Sequence, residues 1–462
     1  MLTEQEYAVL LAENAELRRR VEDLQEALAE VEAALGASQE RVQELEKGKK
    51  GRPPWVKPNK PQGEGEKKPR RKREARGNGA RRREEPTRVI EHELERCPDC
   101  GYRLGRRKEG HCHQVIDIPA PVLAEVTEHR VIKGWCAHCE GWKAPRLDLR
   151  EEVLGQGRIG LRLTSLIMYL REVMKLPFRQ IQAYVRTLHR VEVSVGELVE
   201  LLHRVRQASK AELDALRAAL QASGVAYGDE TGWRENGQNG HIWGFHVPGP
   251  QAIRLYERHR SRGQGVVKGI LGEKFRGVLV SDFYGAYNVY SGPHQRCWVH
   301  LLRDLHELKE EHPSQTDVIE WVKSIRQVYD EAQTFVGATS PPTAEARAIA
   351  YHQLHQRTQS LGQAYAFCKG HPCRVLARRL LRHQDELFQF VLHPGVRADN
   401  NEAERGLRPL VIARKISGGT RSDEGSATRM ALASLVGTWL ARGLNPFDEC
   451  LKLLRQTPVP QI

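Results

Sequence analysis

The stretch from Gly224 to Ser261, "GVAYGDETGWRENGQNGHIWGFHVPGPQAIRLYERHRS", restricts the possible folds more than any other part of this 462-residue chain. Apolar and polar residues alternate along it, and "NGQNG" and "PGP" interrupt the alternation with residue types that close tight turns. Three antiparallel strands are the simplest reading. A helical patch, "GQGVVKGILG", follows, and then "RGVLVSDFYGAY", in which an apolar strand, Val278 to Val280, runs into Asp282. Asp229 also follows directly on an apolar segment, in or at the end of the first strand.

Three strands, a helix, a fourth strand and an acid match the order of an RNase H-like sheet, in which the first and fourth strands lie side by side. Asp229 and Asp282 are then expected as neighbours. Two carboxylates in a dry cleft repel one another, and a divalent cation relieves the repulsion; hard oxygen ligands favour Mg²⁺. A third acid is sought in "ADNNEAERGLRP", Ala398 to Pro409. If a helix is entered at Asp399 or Asn400, Ala403 and Leu407 mark its buried side. At about 100° per residue, Glu404 lies roughly 80° from that stripe on the flank beside the sheet, and Glu402 roughly 120° away on the other flank. Glu404 is therefore the better third acid. Glu402 reads as a solvated partner for Arg405, Asp399 as a cap, and Pro409 as the end of the helix or a kink in it.

The rest of the chain divides by composition. Residues 1–46 keep a heptad through six repeats, with Tyr7, Asn14, Val21, Leu28, Leu35 and Val42 at a and Leu10, Leu17, Leu24, Val31, Ser38 and Leu45 at d. This predicts a coiled-coil oligomerisation helix and a homodimer, and a lone Asn at a fits a parallel register; the alternative is an amphipathic helix docked on its own domain. Residues 47–88 hold 17 basic and 5 acidic residues, nearly the whole of the chain's net charge of +13, with little that is apolar. Such a segment reads as a disordered basic tether whose Lys67, Lys68, Arg70, Arg71, Lys72, Arg73, Arg81, Arg82 and Arg83 meet DNA phosphates without sequence preference, or else as a solubility linker.

Residues 89–150 contain two C-x-x-C pairs, Cys97 with Cys100 and Cys136 with Cys139, which suit one structural Zn²⁺ in a zinc ribbon with short strands between the pairs. The weaker ligand candidates are His111, Cys112 and His113. Residues 151–212 turn helical, break near Arg190 and restart at Ser194 with a capping box to Glu197. A helix-turn-helix and an ordinary helical hairpin both fit these letters. No secretory leader is visible, and the longest mainly apolar uncharged stretch, Met430 to Ala441, is shorter than the roughly 20 residues that span a bilayer. The expectation is a soluble, cytoplasmic protein without membrane contact.

Taken in order, "YGDETGW", "LVSDFYGAYN", "CWVHLLRDL" and "DNNEAERGLRPLVIARK" resemble the DDE transposases of the insertion sequence 66 family, and the heptads, four-cysteine ribbon and helical segment stand in that family's order too. The resemblance implies a multidomain α+β chain: an RNase H-like catalytic core in residues 213–311 and 396–440, a helical insertion in 312–395 and a helical tail in 441–462. It implies double-stranded DNA as substrate, both element ends and target, with accessory proteins of the same element as further partners. Two Mg²⁺ ions about 4 Å apart would clamp the attacking and leaving oxygens of an in-line displacement. Asp229 would bridge both ions, with Asp282 and Glu404 on one each. Water frees a 3′ hydroxyl at the element's end, and that hydroxyl attacks target DNA. Trp298, His300, Arg303, Arg405, Arg408, Arg414 and Lys415 are the expected DNA contacts near the acids, with packing the alternative for the first three. After "ARK" the chain departs from the family's aromatic residues with Ile416, Ser417, Gly418 and Gly419, so no base-stacking role falls there. Two other classes remain: a non-catalytic dimeric zinc-dependent DNA-binding regulator, and an RNase H-fold nuclease without strand transfer.

Overall fold

The structure, a computed structural model, describes residues 85–456 apart from 107, 109–111, 118–119 and 156. The expected coiled coil, the nine basic tether residues named above and His111 lie outside the described residues. Between Asp117 and Ile118 the chain divides into two units. In the first, the described residues form a turn closed by an antiparallel bridge between Arg96 and Arg103. The second holds the named elements. Strands β1 (Gly134–Cys136) and β2 (Gly141–Lys143) form a small hairpin. The short strands expected between the two cysteine pairs are not formed among the described residues 112–133. Val115, Ile116, Val122, Leu123, Val126 and Ile132 are exposed there, so no facing layer holds them in a sheet.

Four helices come next: α1 (Leu161–Glu172), α2 (Phe178–His189), α3 (Val195–Ala208) and α4 (Lys210–Gln221). As expected, the chain breaks at Arg190, which has left-handed backbone, and restarts at Ser194, whose hydroxyl accepts the Glu197 N–H at 3.0 Å.

Strands β3 (Val225–Glu235), β4 (Gln238–Val247) and β5 (Ile253–His259) run antiparallel. Asn236 and Gly237 both have positive φ and close the β3–β4 turn, the conformation that an Asn-Gly pair favours. After α5 (Gln264–Leu271), strand β6 (Val278–Ser281) pairs in parallel with β3, and β7 (His294–Arg296) in parallel with β6. The sheet order is β5-β4-β3-β6-β7, so the first and fourth strands of this sheet do lie side by side.

Alternation assigns each strand residue to a face. Ala226, Trp243, Phe245, Leu255 and Leu279 pack with Leu220 of α4 and Val267 and Ile270 of α5. On the opposite face Tyr227, Val278 and Val280 pack on Ala403, and Trp233 and Ile242 on Leu407 and Leu410. Those last partners belong to α11 (Asn401–Ser417). Between β7 and α11 stand the helices of the expected insertion and its approach: α6 (Trp298–Glu311), α7 (Thr316–Val336), α8 (Ala344–Ala366), α9 (Arg374–Arg382) and α10 (Gln389–Leu392), around a core of their own. Helices α12 (Asp423–Ala441) and α13 (Pro446–Gln456) complete the described chain and share one core with α1–α3. A buried ion pair, Arg429 to Glu172 at 2.7 Å, fastens α12 to α1. Among the described residues no helix is long and apolar enough to cross a membrane.

Candidate active site

The β3–β6 register sets Val225 against Val278, Ala226 against Leu279 and Tyr227 against Val280. Two residues further along both strands, Asp229 comes level with Asp282, just past the end of β6. Period-two alternation puts Asp229 on the face of Tyr227 and Asp282 on the face of Val280, and both of those pack on Ala403. The two aspartates thus share the face that α11 covers.

Glu404 reaches the same face because the segment before α11 is pinned to β3. The Arg397 N–H donates to the Tyr227 hydroxyl at 3.0 Å, and the Asn400 amide donates to the Gly228 carbonyl at 2.8 Å, one residue before Asp229. The Asn400 N–H donates to Cys297 Sγ at 3.2 Å, and the Trp298 N–H to the Ala398 carbonyl at 2.9 Å. Farther along, Gly406 lets α11 approach β4: a Cβ there would lie 2.0 Å from the His246 ring. The Tyr256 hydroxyl donates to the Gly406 carbonyl at 2.6 Å.

Burial, then the negative charges of Glu230, Asp282 and Glu404, push the Asp229 carboxyl up to about 7, against one opposing hydrogen bond from the Glu230 N–H. Both of the other expected acids therefore act on Asp229. Asp282 Oδ1 accepts the Tyr284 N–H at 2.9 Å, and Glu404 Oε1 lies 3.9 Å from His300 Nε2. Among the described residues no three His, Cys, Asp or Glu side chains already stand within ligating distance of one point. The donor set nevertheless fits a divalent cation: hard carboxylate oxygens on a buried face, where burial first and repulsion second favour a proton on Asp229 that a bound cation would displace.

Several expectations change. Glu402 is not a solvated partner of Arg405: it pairs with Arg254 of β5, with both side chains largely buried. Arg405 donates to the Asn401 carbonyl instead. Helix α11 does not end at Pro409 but continues to Ser417. Arg405 and Pro409 are both exposed, so water can take the carbonyl that the proline leaves unpaired. Asp399 lies one residue before the N-cap Asn400 and accepts the Asn401 N–H at 3.1 Å, close to the expected capping. Trp298 is not a DNA contact: it is fully buried among Tyr329 and Phe388 and donates to the Leu387 carbonyl at 2.6 Å. Arg414 is drawn to β3, bonding Thr231 Oγ1 at 3.1 Å and the Gly232 carbonyl. Arg303, Arg405, Arg408 and Lys415 are exposed, and His300 is partly so.

The cysteine pairs lie one in each unit and share a local form. The residue after each second cysteine has left-handed backbone, Gly101 at φ 71° and Glu140 at φ 46°. Backbone N–H donors hold the first thiol of each pair below its ordinary pKa, those of Cys100 and Asp99 for Cys97 and chiefly that of Cys139 for Cys136. Such donors favour the thiolate, the form that binds zinc. Cys112 and His113 are exposed.

Sequence reasoning missed three features. Asn400 is buried with only its amide nitrogen used, and its doublet with Asn401 was the sole signal. Gly406 stands inside a helix, where a glycine is costly without a packing reason. Glu230 beside Asp229 carries a buried carboxylate bound by Arg262 and Tyr287, and nothing in its spacing announced those partners.

The core is thus a mixed five-stranded sheet in which Asp229 and Asp282 stand level on adjacent strands, on the face that α11 covers. The sequence model described as "Transposase IS66 family" matches residues 156–428, and the chain belongs to this family. It is similar to the uncharacterized protein y4jO of Sinorhizobium fredii (strain NBRC 101917 / NGR234), at 32% identity over 195 residues, 42% of this chain and 57% of the relative. A second relative from the same strain, the uncharacterized protein y4qI, is 28% identical over 192 residues, 38% of this chain and 34% of the relative. The chain thus spans about half and a third of the lengths of these two relatives.

Proposed function

We propose that this protein is a DDE transposase with an RNase H-like core, which binds the ends of a bacterial insertion sequence, cleaves a strand there and joins it to target DNA. The observation that supports this most is the convergence of Asp229, Asp282 and Glu404 on one face, in a chain of this family. Asp229 would hold two Mg²⁺ ions in common, with Asp282 and Glu404 on one each. When bound, the ions stabilise charge on the attacking and leaving oxygens of phosphoryl transfer. The chain's own task is placement. The parallel register of β3 and β6 sets the two aspartates level, and the Asn400 amide fixes the start of α11, hence Glu404, against the residue preceding Asp229. Exposed Arg303, Arg405, Arg408 and Lys415 are suited to phosphates flanking the acids.

The two cysteine knuckles are proposed zinc ligands, and residues 1–46 a dimerisation helix. Light scattering should find a dimer that becomes monomeric on deleting 1–46; a truncation that stays dimeric would move the interface elsewhere. The catalytic reading is tested with a labelled duplex carrying the terminal inverted repeat beside the gene, a target plasmid and Mg²⁺. A transposase cuts at the repeat and joins the label to the plasmid. Cutting without joining or end preference would indicate a nuclease, and binding without cutting a regulator.

A further inference from the structure

Glu230 points to the face opposite Asp229, and its side chain is 2% exposed. Its Oε1 accepts both Nε and Nη2 of Arg262, at 3.1 and 2.6 Å, and its Oε2 accepts the Tyr287 hydroxyl at 2.7 Å. The guanidinium also lies over the Tyr284 ring, 4.0 Å from its centroid. Tyr284 in turn donates its hydroxyl to the Arg262 carbonyl and its main-chain N–H to Asp282 Oδ1, each at 2.9 Å. One residue earlier, Trp243 Nε1 donates to the Ser261 carbonyl at 3.4 Å. Arg262 is thus held by its plane, one edge and its backbone, next to an acid of the candidate site.

Its other edge is open. The side chain is 48% exposed, and Nη1 has no partner among the described residues, although every neighbouring contact restricts where it points. A counter-ion for Glu230 alone needs no such open edge. A guanidinium with one edge on a buried carboxylate and the other facing solvent is pre-organised for a second anion, and Arg is the side chain whose fork fits two oxygens of a phosphate. Helix α5 begins one residue after Gly263, which caps it with no side-chain acceptor, so its first-turn amides add positive potential to the same loop.

We propose that Arg262 is a phosphate anchor, its free edge binding a phosphodiester of the DNA strand whose reacting phosphate lies at Asp229, Asp282 and Glu404. This rests on the transposase reading. Glu230 and Tyr284 are positioning residues: they hold the guanidinium, and it holds the strand.

The test compares full-length wild type, Arg262→Gln, Arg262→Lys, Glu230→Gln and the double variant Glu230→Gln/Arg262→Gln for cleavage of the labelled terminal-repeat duplex across a series of salt concentrations. Arg262→Gln should lower kcat/KM roughly tenfold or more, mainly through KM, and reduce its salt slope by about one. Arg262→Lys keeps the charge without the fork and should fall between. The double variant leaves no unpaired buried charge, so it should fold, yet it should stay as defective as Arg262→Gln because the phosphate contact is still missing. If Arg262 serves only to neutralise Glu230, the double variant regains wild-type KM and salt slope, and the proposal is overturned. A wild-type KM and slope in Arg262→Gln overturns it equally. The transposase reading itself fails on a different result: wild type that does not cut the duplex, or Asp229→Asn that does.

Discussion

Asp229→Asn should make the metal-free protein more stable at alkaline pH while destroying its activity. The Asp229 carboxyl is raised from 3.8 to about 7 in the fold, first by burial and then by Glu230, Asp282 and Glu404. A raised carboxyl pKa means that the folded chain holds the proton where the unfolded chain has lost it. Stability therefore falls as pH rises from about 4 to about 7 and stays at its reduced level above that. Each pKa unit corresponds to about 1.4 kcal/mol, so the ceiling at pH 8 is about 4 kcal/mol. Asparagine keeps the shape and can still accept the Glu230 N–H, but it carries no charge. His294, pushed down to about 3 by burial and Arg296, and His246, lowered by burial and Arg254, act in the opposite sense: each weakens the fold as pH falls below 6.5. Both are common to the two proteins and drop out of the difference. Thermal unfolding in EDTA from pH 5 to 9 should give a higher Tm for the variant throughout, by a small margin at pH 5 that widens to several degrees at pH 8. Saturating Mg²⁺ should narrow the gap by binding wild type better. A difference independent of pH, or a variant less stable at pH 8, would refute the electrostatic account of the site.

Glu404→Gln should fold normally and lose end cleavage. Its neighbour Glu402→Gln should keep cleavage but lose about 1–3 kcal/mol of stability, because Arg254 is left largely buried without its charge partner; denaturant melts and the duplex assay read both. Gly406→Ala should cost about 1–3 kcal/mol or more and impair cleavage, since its Cβ would overlap the His246 ring and push α11, with Glu404, off β4. His246→Ala in the same chain should restore part of both, and no restoration would count against this contact as the cause. Cys97→Ser and Cys136→Ser should each lower bound zinc measured by mass spectrometry, and zinc content unchanged in both would remove the knuckles as ligands.

The parts legible in the sequence were those fixed by local period and turn chemistry. Asn236-Gly237 marked the β3–β4 turn, and alternation along β3 and β6 made Asp229 and Asp282 neighbours once the strands were paired in parallel. The Ala403–Leu407 stripe did mark the side of α11 that packs on the sheet. The illegible parts depend on partners distant in sequence. Arg254, which binds Glu402, is 148 residues away, and no spacing rule joins them. The apolar faces of α1–α3 showed that they pack, but not that α12 and α13 complete their core. Trp298 looked like a DNA contact because a motif displays its aromatic residues alike, whether they end in solvent or beneath a helix. Pro409 did not end α11: residues 405 and 409 are both exposed, so losing one N–H there need not break the helix.

The central claim is that Asp229, Asp282 and Glu404 act together in DNA strand transfer. Its most direct test is the joining of a labelled, pre-cut terminal-repeat duplex to a target plasmid in Mg²⁺, by wild type and by Asp229→Asn, Asp282→Asn and Glu404→Gln. The account predicts joined product with wild type and loss of that product in each variant, with binding to the duplex retained. Joined product at wild-type rates from any one of the three variants would contradict it.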